Sequence, residues 1–562
     1  MRVFATILGV FFTLILSAQQ IIIDGDFSDW ENIDPIFEDE LGDGQSNGID
    51  FGKIWMHNDG RYIYMRFQLN KEINIQEDND LALYVDFDND LDTGFKVNGI
   101  GAELRWFFGD RYGILTQDGN SEFINFSQAT LVVSPSVSSI EFELSFSDGF
   151  DAGGFSIEAG DNMAFRMEDT GFSGDDVPGS LFGVTYDYKE NQPHTPSEFD
   201  LSRNDDTDFR IMTYNILADQ LFESNRTQAY SRIFNATQPD IIALQEVRDF
   251  DEDEALERIG QFINVDGWYA EKVGFDIVLL SHYPINYDQF LAGNGAFYLD
   301  VDGREIMVVN CHLPCCDNDT DRQSEVDQIM EFIRDSRDGL TNYELEESTP
   351  YLIVGDMNFV GDNRQPYTFH TGDIRNNSFY GDDFNPDWDG SDLADVNGFA
   401  TGSIWKFTWI NFFSSYGPGK LDWIYYTDSN LKLENVFNLY TPGFNQQELL
   451  QYNLESGDSF QASDHTPVVA DFSFITTASE DIGQLDFMMY PNPVDRQLFI
   501  QMEDDIYIDQ VKMVDIQGQV VLSMVPADGR LMYLDVENLP SGRYYVIVSA
   551  DGKKTGKAVV KR

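Results

Sequence analysis

The hydrophobic period of this 562-residue chain changes twice, so one repeating layer of structure cannot accommodate it. In residues 20–187 apolar and polar side chains alternate in short aromatic-rich runs, such as 62–67, 81–87, 103–108 and 140–146, separated by Gly, Asn and Asp turns. A period of two belongs to half-buried strands, and many short strands with frequent turns fold as a β-sandwich. Residues 208–474 read differently. Short apolar runs at 209–214, 241–244, 277–280, 306–309 and 351–354 alternate with helical stripes, and within 321–334 Val326, Ile329, Met330 and Ile333 share one face at the 3.6-residue period. That is an α/β pattern. Residues 485–562 return to strands and turns, and the polar, aperiodic stretches 188–207 and 475–484 read as linkers. The expected architecture is multidomain: a signal segment at 1–18, an N-terminal β-sandwich, a central α/β domain and a small C-terminal β-sandwich. Length points the same way, since single cores stop growing at about 250–300 residues.

Charge and cysteine usage narrow the functions open to such a chain. Asp and Glu number 98 against 35 Lys and Arg, a formal charge of −63. A field of that sign repels nucleic acid and anionic lipid, so a polyanionic substrate requires an intervening cation. The acids are spread along the chain, as in a solubility adaptation of an exported protein, and alone identify no ligand. The three cysteines, Cys311, Cys315 and Cys316, lie in one segment and form no disulfide framework. Two outcomes are open there: a local disulfide, either vicinal or from Cys311 to one of the pair, or buried free thiols. Residues 1–18 carry Arg2, an apolar run over 4–16 broken by Thr6 and Thr13, and a small-residue exit at Ser17 and Ala18. This is the pattern of a signal peptide, too short to span a bilayer permanently, and no later run approaches the ~20 apolar residues a membrane helix needs. The expectation is a soluble, exported monomer.

In the C-terminal segment Tyr490-Pro491-Asn492-Pro493, Asp515-Ile516-Gln517-Gly518, Leu539-Pro540-Ser541-Gly542-Arg543-Tyr544-Tyr545 and the basic end Lys561-Arg562 follow in order. The set resembles the C-terminal sorting domain of proteins exported by the type IX secretion system of Bacteroidetes. The resemblance implies that machinery as a partner, passage through the periplasm, removal of the domain, and release or attachment at the cell surface.

In the central region polar residues interrupt apolar strands in six clusters, each where a strand ends: Tyr214-Asn215, Gln245-Glu246, Asn310-Cys311-His312, Gly355-Asp356-Met357-Asn358, Leu421-Asp422-Trp423 and Ser463-Asp464-His465. Any one alone is an ordinary turn former. Six in this order can bring carboxylates, carboxamides and imidazoles to one rim, which is what a hydrolytic metal site needs. The set resembles the endonuclease/exonuclease/phosphatase superfamily across essentially all of residues 208–472. The resemblance implies a DNase I-like, four-layer α/β fold with two packed sheets and a site at one edge. It implies metal binding for Asn215 and Glu246, with Asp464 a further candidate. Asp356 and Asn358 match the family's Gly-Asp-x-Asn, Asp422 its Leu-Asp-x-Ile, Asp464 and His465 its Ser-Asp-His, and His312 its Asn-x-His-Leu. No expected catalytic position is missing. His282 lies where many members carry Arg or Lys and stays unassigned, and His57 and His370 have no motif around them.

Residue chemistry then sets the reaction. A hard divalent cation, Mg²⁺ or Mn²⁺, prefers oxygen ligands and offsets the acidic field where a phosphoryl group must sit. By the family pattern His465 bonds to Asp422, and the group that activates water is either His465 or Asp356. Asn358 and His312 would donate hydrogen bonds to phosphoryl oxygens as charge builds. The implied reaction is phosphoester hydrolysis by in-line attack. Substrate is less determined, because one fold serves many phosphoesters. Residues 206–472 hold roughly 47 acids and 15 bases, and no basic stripe interleaved with aromatics marks a DNA track. The aromatic run 405–413 serves either to stack a base or enter a lipid interface, or as a core strand.

In the N-terminal region Ile23-Asp24-Gly25-Asp26-Phe27-Ser28-Asp29-Trp30 resembles the opening of family 9-like carbohydrate-binding modules, which implies a glycan as a further partner. Asp86, Asp88, Asp90 and Asp92 alternate before Gly94, with Glu103 beyond, a spacing that directs oxygens at one structural Ca²⁺. The sequence thus reads as a secreted, metal-dependent phosphodiesterase, first an extracellular nuclease. The alternatives are a sphingomyelinase or phospholipase C-like enzyme, a small-phosphoester phosphatase and, from another class, a catalytically silent carbohydrate-binding or adhesion protein. Calorimetry with glycans separates the last, which predicts heat with sugar and no phosphoester turnover.

Overall fold

The computed structural model describes residues 20–42, 48–152, 154–171, 174–179, 182–190, 192–204, 207–475, 487–502, 508, 510–514, 520–525, 531–550 and 553–562. The expected signal segment at 1–18, the expected linker positions 476–484 and the motif at 515–518 lie outside them. The described residues up to 474 form one compact unit and those from 475 onward a second.

The alternating N-terminal runs form two sheets. One orders Phe51–Asn58, Tyr62–Ile73, Ser139–Ser147 and Val132–Ser134; the other runs Asp176–Val177, Asn162–Asp169, Leu81–Asp86, Leu104–Phe107, Tyr112–Gln117 and Asn120–Ile124, with Val184–Asp187 also paired to Asn162–Asp169. Phe67 and Phe142 from the first and Leu83, Leu104 and Phe165 from the second share one buried core, the solution expected for strands with one apolar face each. That core continues into the central region. Ala400, Ile404, Trp405, Phe407 and Ile410 belong to it. The Trp405 indole N–H donates to Ser145 Oγ at 2.9 Å, and the Ile23 N–H donates to the Ile404 carbonyl at 2.9 Å. The aromatic run therefore divides: Trp405 and Phe407 are core, whereas Phe412 is 41% and Phe413 102% exposed.

The central region has four layers. Its first sheet orders Tyr269–Val273, Ile277–Ser281, Ile241–Gln245, Phe209–Asn215, Val468–Phe474 and Leu431–Asn438; its second orders Ile285–Leu291, Asn294–Val301, Arg304–His312, Tyr351–Asp356, Asp422–Tyr426 and Ala394–Asp395. Ile211, Ala243 and Ala470 face Val308, Leu352 and Ile424 in the core between the sheets. The outer face of the first sheet packs on Thr227–Thr237 and Glu252–Gly260 through Ile233, Phe234, Ala255 and Ile259. The second packs on Asp319–Arg337 through Val326, Ile329, Met330 and Ile333, the stripe the period marks.

The C-terminal unit is a small two-sheet body. Phe487–Tyr490, Gln497–Met502 and Leu531–Asp535 form one sheet; Val520–Met524, Gln510–Val514, Gly542–Ala550 and Lys553–Lys561 form the other. Leu498, Ile500, Val511, Val546 and Val559 fill its core.

Candidate active site

Strand direction and side-chain parity bring the polar clusters together. Phe209–Asn215 runs parallel to Ile241–Gln245, and Arg304–His312 parallel to Tyr351–Asp356. Val468–Phe474 and Asp422–Tyr426 run antiparallel to them. The strand ends bearing Asn215, Gln245, His312 and Asp356 and the strand starts at Asp422 and just after His465 thus share an edge of their sheets. Side chains two apart share a face. Ile211, Thr213 and Asn215, or Leu352, Val354 and Asp356, continue one inward ladder from apolar core to polar rim. Between core and rim lies a hydrogen-bonded floor: the Gln245 amide donates to Thr213 Oγ1 at 3.0 Å and to Asn310 Oδ1 at 2.7 Å.

At the rim the groups form one connected set. Asn215 Nδ2 donates to Asp356 Oδ2 at 2.9 Å and to Glu246 Oε1 at 3.2 Å. His465 Nδ1 bonds Asp422 Oδ2 at 2.8 Å, and its Nε2 lies 3.7 Å from Asp356 Oδ2. His312 Nδ1 bonds Asp276 Oδ2 at 2.8 Å, leaving Nε2 3.8 Å from both Glu246 Oε1 and Asp356 Oδ2. Asp464 is held by other groups: its Oδ2 accepts from the Trp409 indole and the Asn411 amide, both at 3.1 Å. One amide hydrogen of Asn358 is committed to the Leu313 carbonyl at 2.9 Å, while its backbone N–H donates to Asp356 Oδ1 at 3.1 Å.

Electrostatics follow from these distances. Burial opposes charge on His465, but Asp422 and Asp356 outweigh it and lift its pKa to about 10. His312 is also raised: burial lowers it, and the Asp276 bond and the Asp356 and Glu246 carboxylates prevail. Burial pushes Asp422 up, against the pull of His465. Two backbone positions are strained, Glu246 at φ 65° and Asn358 at φ 49°. At Gly355, φ 134°, a Cβ would stand 2.0 Å from the Cys311 carbonyl oxygen, so only glycine lets the strand reach Asp356.

The donor set fits a hard divalent cation. Glu246, Asp356, Asp422 and Asp464 offer oxygens, and ligand atoms of Asp356, Asp422 and His465 lie within 4.8 Å of one another. Asp422 Oδ1 and Asp464 Oδ1 are buried and accept no hydrogen bond. Sequence reasoning missed Asp276, Trp409 and Asn411, which orient His312 and Asp464; a lone acid ahead of a strand and two members of an aromatic loop carry no local signal.

The remaining expectations resolve separately. In the sandwich Asp86, Asp88 and Glu103 bring ligand atoms within 4.8 Å. Asp90 and Asp92 are exposed outside that cluster, Asp92 paired with Lys96 at 2.6 Å, because the turn points their side chains to solvent. Cys311 is a buried free thiol, whereas Cys315 and Cys316 are free and exposed. His282 is exposed and lies beside Trp268, with ring centroids 6.1 Å apart. A cavity of about 360 Å³ between sandwich and central region, lined by Asp24, Lys406, Lys420 and Trp423 among others, contains none of the rim residues.

Residues 212–465 match the Endonuclease/Exonuclease/phosphatase family, and residues 488–562 match the Secretion system C-terminal sorting domain. No curated protein matches the chain. Similar solved structures include the human Nocturnin catalytic domain with bound sulfate anion, 19% identical over 47% of this chain and 94% of that one, with a TM-score of 0.30. An endonuclease/exonuclease/phosphatase family protein from Leptotrichia buccalis is 16% identical over 47% of this chain and 100% of that one, at 0.31. Truncated Caenorhabditis elegans TDP2 is 18% identical over 47% and 97%, at 0.31.

Proposed function

We propose that residues 212–465, which match the endonuclease/exonuclease/phosphatase family, form a metal-dependent phosphoester hydrolase domain, that residues 488–562 are a type IX secretion sorting domain, and that the chain is an exported nuclease using Mg²⁺ or Mn²⁺. The observation that carries the reading is the connected rim itself, in which Asn215, Glu246, Asp356, Asp422, His312 and His465 converge from two sheets. When bound, the divalent cation supplies charge neutralisation at the phosphoryl oxygens. Asn215 and Glu246 would hold it, with Asp464 as a further oxygen donor.

The chain's own groups then divide the work. Asp422 fixes His465 Nδ1 and, with Asp356, keeps the imidazole protonated. A protonated His465 presents Nε2–H as a donor to a phosphoryl oxygen, where charge builds. Asp356 is left as the acceptor that orients the attacking water and takes its proton. His312, oriented through Asp276, aims a second imidazole Nε2 at the same space. Glu246 and Asn358 reach the rim on strained backbone, a cost the surrounding strands sustain.

An exported hydrolase carrying this rim suits scavenging of phosphate from nucleic acid. The test is hydrolysis of supercoiled plasmid and of single-stranded oligonucleotide by purified protein in Mg²⁺, with and without EDTA. Cleavage that EDTA abolishes is expected. No cleavage of either, with turnover of sphingomyelin or a small phosphoester, would overturn the nuclease reading.

A further inference from the structure

Phe413 is fully exposed, yet the loop that carries it is tied down on both sides. At its root Asn411 donates to Asp464 Oδ2 at 3.1 Å, and the Phe413 N–H donates back to Asn411 Oδ1 at 3.0 Å. On its far side the N-terminal sandwich holds it. The Gly417 N–H donates to Gln76 Oε1 at 2.7 Å, the Tyr416 hydroxyl donates to Glu77, and the Arg111 guanidinium lies 4.3 Å over the Tyr416 ring. Phe412 packs edge-on against Phe460, with centroids 4.7 Å apart. The loop is therefore a fixed support, and Phe413 lies two residues, about 7 Å of chain at most, from Asn411, whose side chain braces Asp464.

We propose that Phe413 is a stacking platform for an unpaired nucleobase next to the scissile phosphate, held in place by the sandwich through Gln76, Glu77 and Arg111. The proposal rests on the nuclease reading and narrows it to substrates with an unpaired base near the cut. Magnitude favours a base over a lipid surface. One aromatic ring is enough to stack one base. The loop exposes Phe413 fully and Phe412 and Tyr416 in part, a small apolar area that alone gives only weak, reversible membrane binding, since stable anchoring takes two signals.

The test compares full-length wild type, Phe413→Ala and Phe413→Trp on a single-stranded oligonucleotide and on bis(p-nitrophenyl) phosphate, in Mg²⁺. The ratio of kcat/KM for oligonucleotide over small diester is expected to fall roughly 5-fold or more in Phe413→Ala and to be restored in Phe413→Trp. Tyr416→Phe, which loosens the clamp, is expected to lower the same ratio less. An unchanged ratio in Phe413→Ala, with the oligonucleotide still cleaved, overturns the platform and leaves the nuclease reading standing. Oligonucleotide left intact by wild type overturns the nuclease reading and the platform with it. Loss of binding to sphingomyelin and phosphatidylcholine vesicles in Phe413→Ala, with an unchanged ratio, assigns the residue to lipid and also overturns the proposal.

Discussion

The acidic loop of the sandwich and the rim of the central domain are both built from buried carboxylates, but different partners satisfy them. In the loop the partners are backbone amides. Asp86 accepts from the Gly101 N–H at 2.8 Å and the Asp90 N–H at 3.2 Å, and Glu103 from the Phe87 and Gly94 N–H groups at 2.8 and 2.9 Å. At the rim the backbone N–H groups of Asn358 and Ala218 are joined by side chains, Asn215, His312 and His465, and two oxygens, Asp422 Oδ1 and Asp464 Oδ1, accept no hydrogen bond. A carboxylate saturated by its own turn serves the fold. One shared among imidazoles and amides, with acceptors left open, can exchange a proton or take a cation.

The largest effects should fall on the rim. His465→Asn keeps a donor toward Asp422 but removes Nε2–H, and Asp356→Asn removes the proton acceptor; each is expected to lower kcat by about 10² to 10⁴-fold, measured by plasmid nicking. Wild-type rates in either would erase the distinction between the two clusters. Asn411→Ala, which frees one side of Asp464, should cost about 10-fold in kcat/KM with the fold intact by circular dichroism. No loss would show that Asp464 needs no brace.

The loop should answer in stability instead. Burial lifts Asp86 to about 6 and Glu103 to about 7, so the folded protein holds protons that the unfolded chain releases near pH 4. Without added calcium, stability should therefore be fullest below about pH 4 for these two groups and decline as pH rises through about 7, a fall of about 2–4 °C in Tm. Glu103→Gln should flatten that decline. Smallest is the effect of Ca²⁺, expected at Asp86, Asp88 and Glu103 from their spacing. Because amides already engage Asp86 and Glu103, chelation should lower Tm by about 1 °C at most. No shift at all would reduce the loop to a solvated turn.

Much of this contrast was legible before any coordinates. The change of period separates sandwich from α/β region, and the stripe Val326, Ile329, Met330 and Ile333 faces its sheet as its spacing requires. The rim clusters could be read because inward-facing strand positions turn from apolar to polar only at the ends of strands, where the chain leaves the core. What stayed hidden depends on contacts distant in sequence. Asp276 precedes a strand like many other acids, and its role exists only through His312, 36 residues away. The run 404–410 looks apolar, but nothing local says that a sandwich several hundred residues earlier covers it, or that Trp409 turns the other way to hold Asp464. The acids at 86–92 alternate perfectly in sequence, whereas the turn brings only Asp86 and Asp88 to Glu103.

One paired measurement tests the account most directly: plasmid-nicking rate and Tm of His465→Asn and Glu103→Gln, side by side with wild type in Mg²⁺. The account predicts that His465→Asn loses at least ~10²-fold in rate with Tm nearly unchanged, while Glu103→Gln keeps its rate and moves only in Tm. Wild-type nicking by His465→Asn, or equal rate losses in both variants, would contradict it.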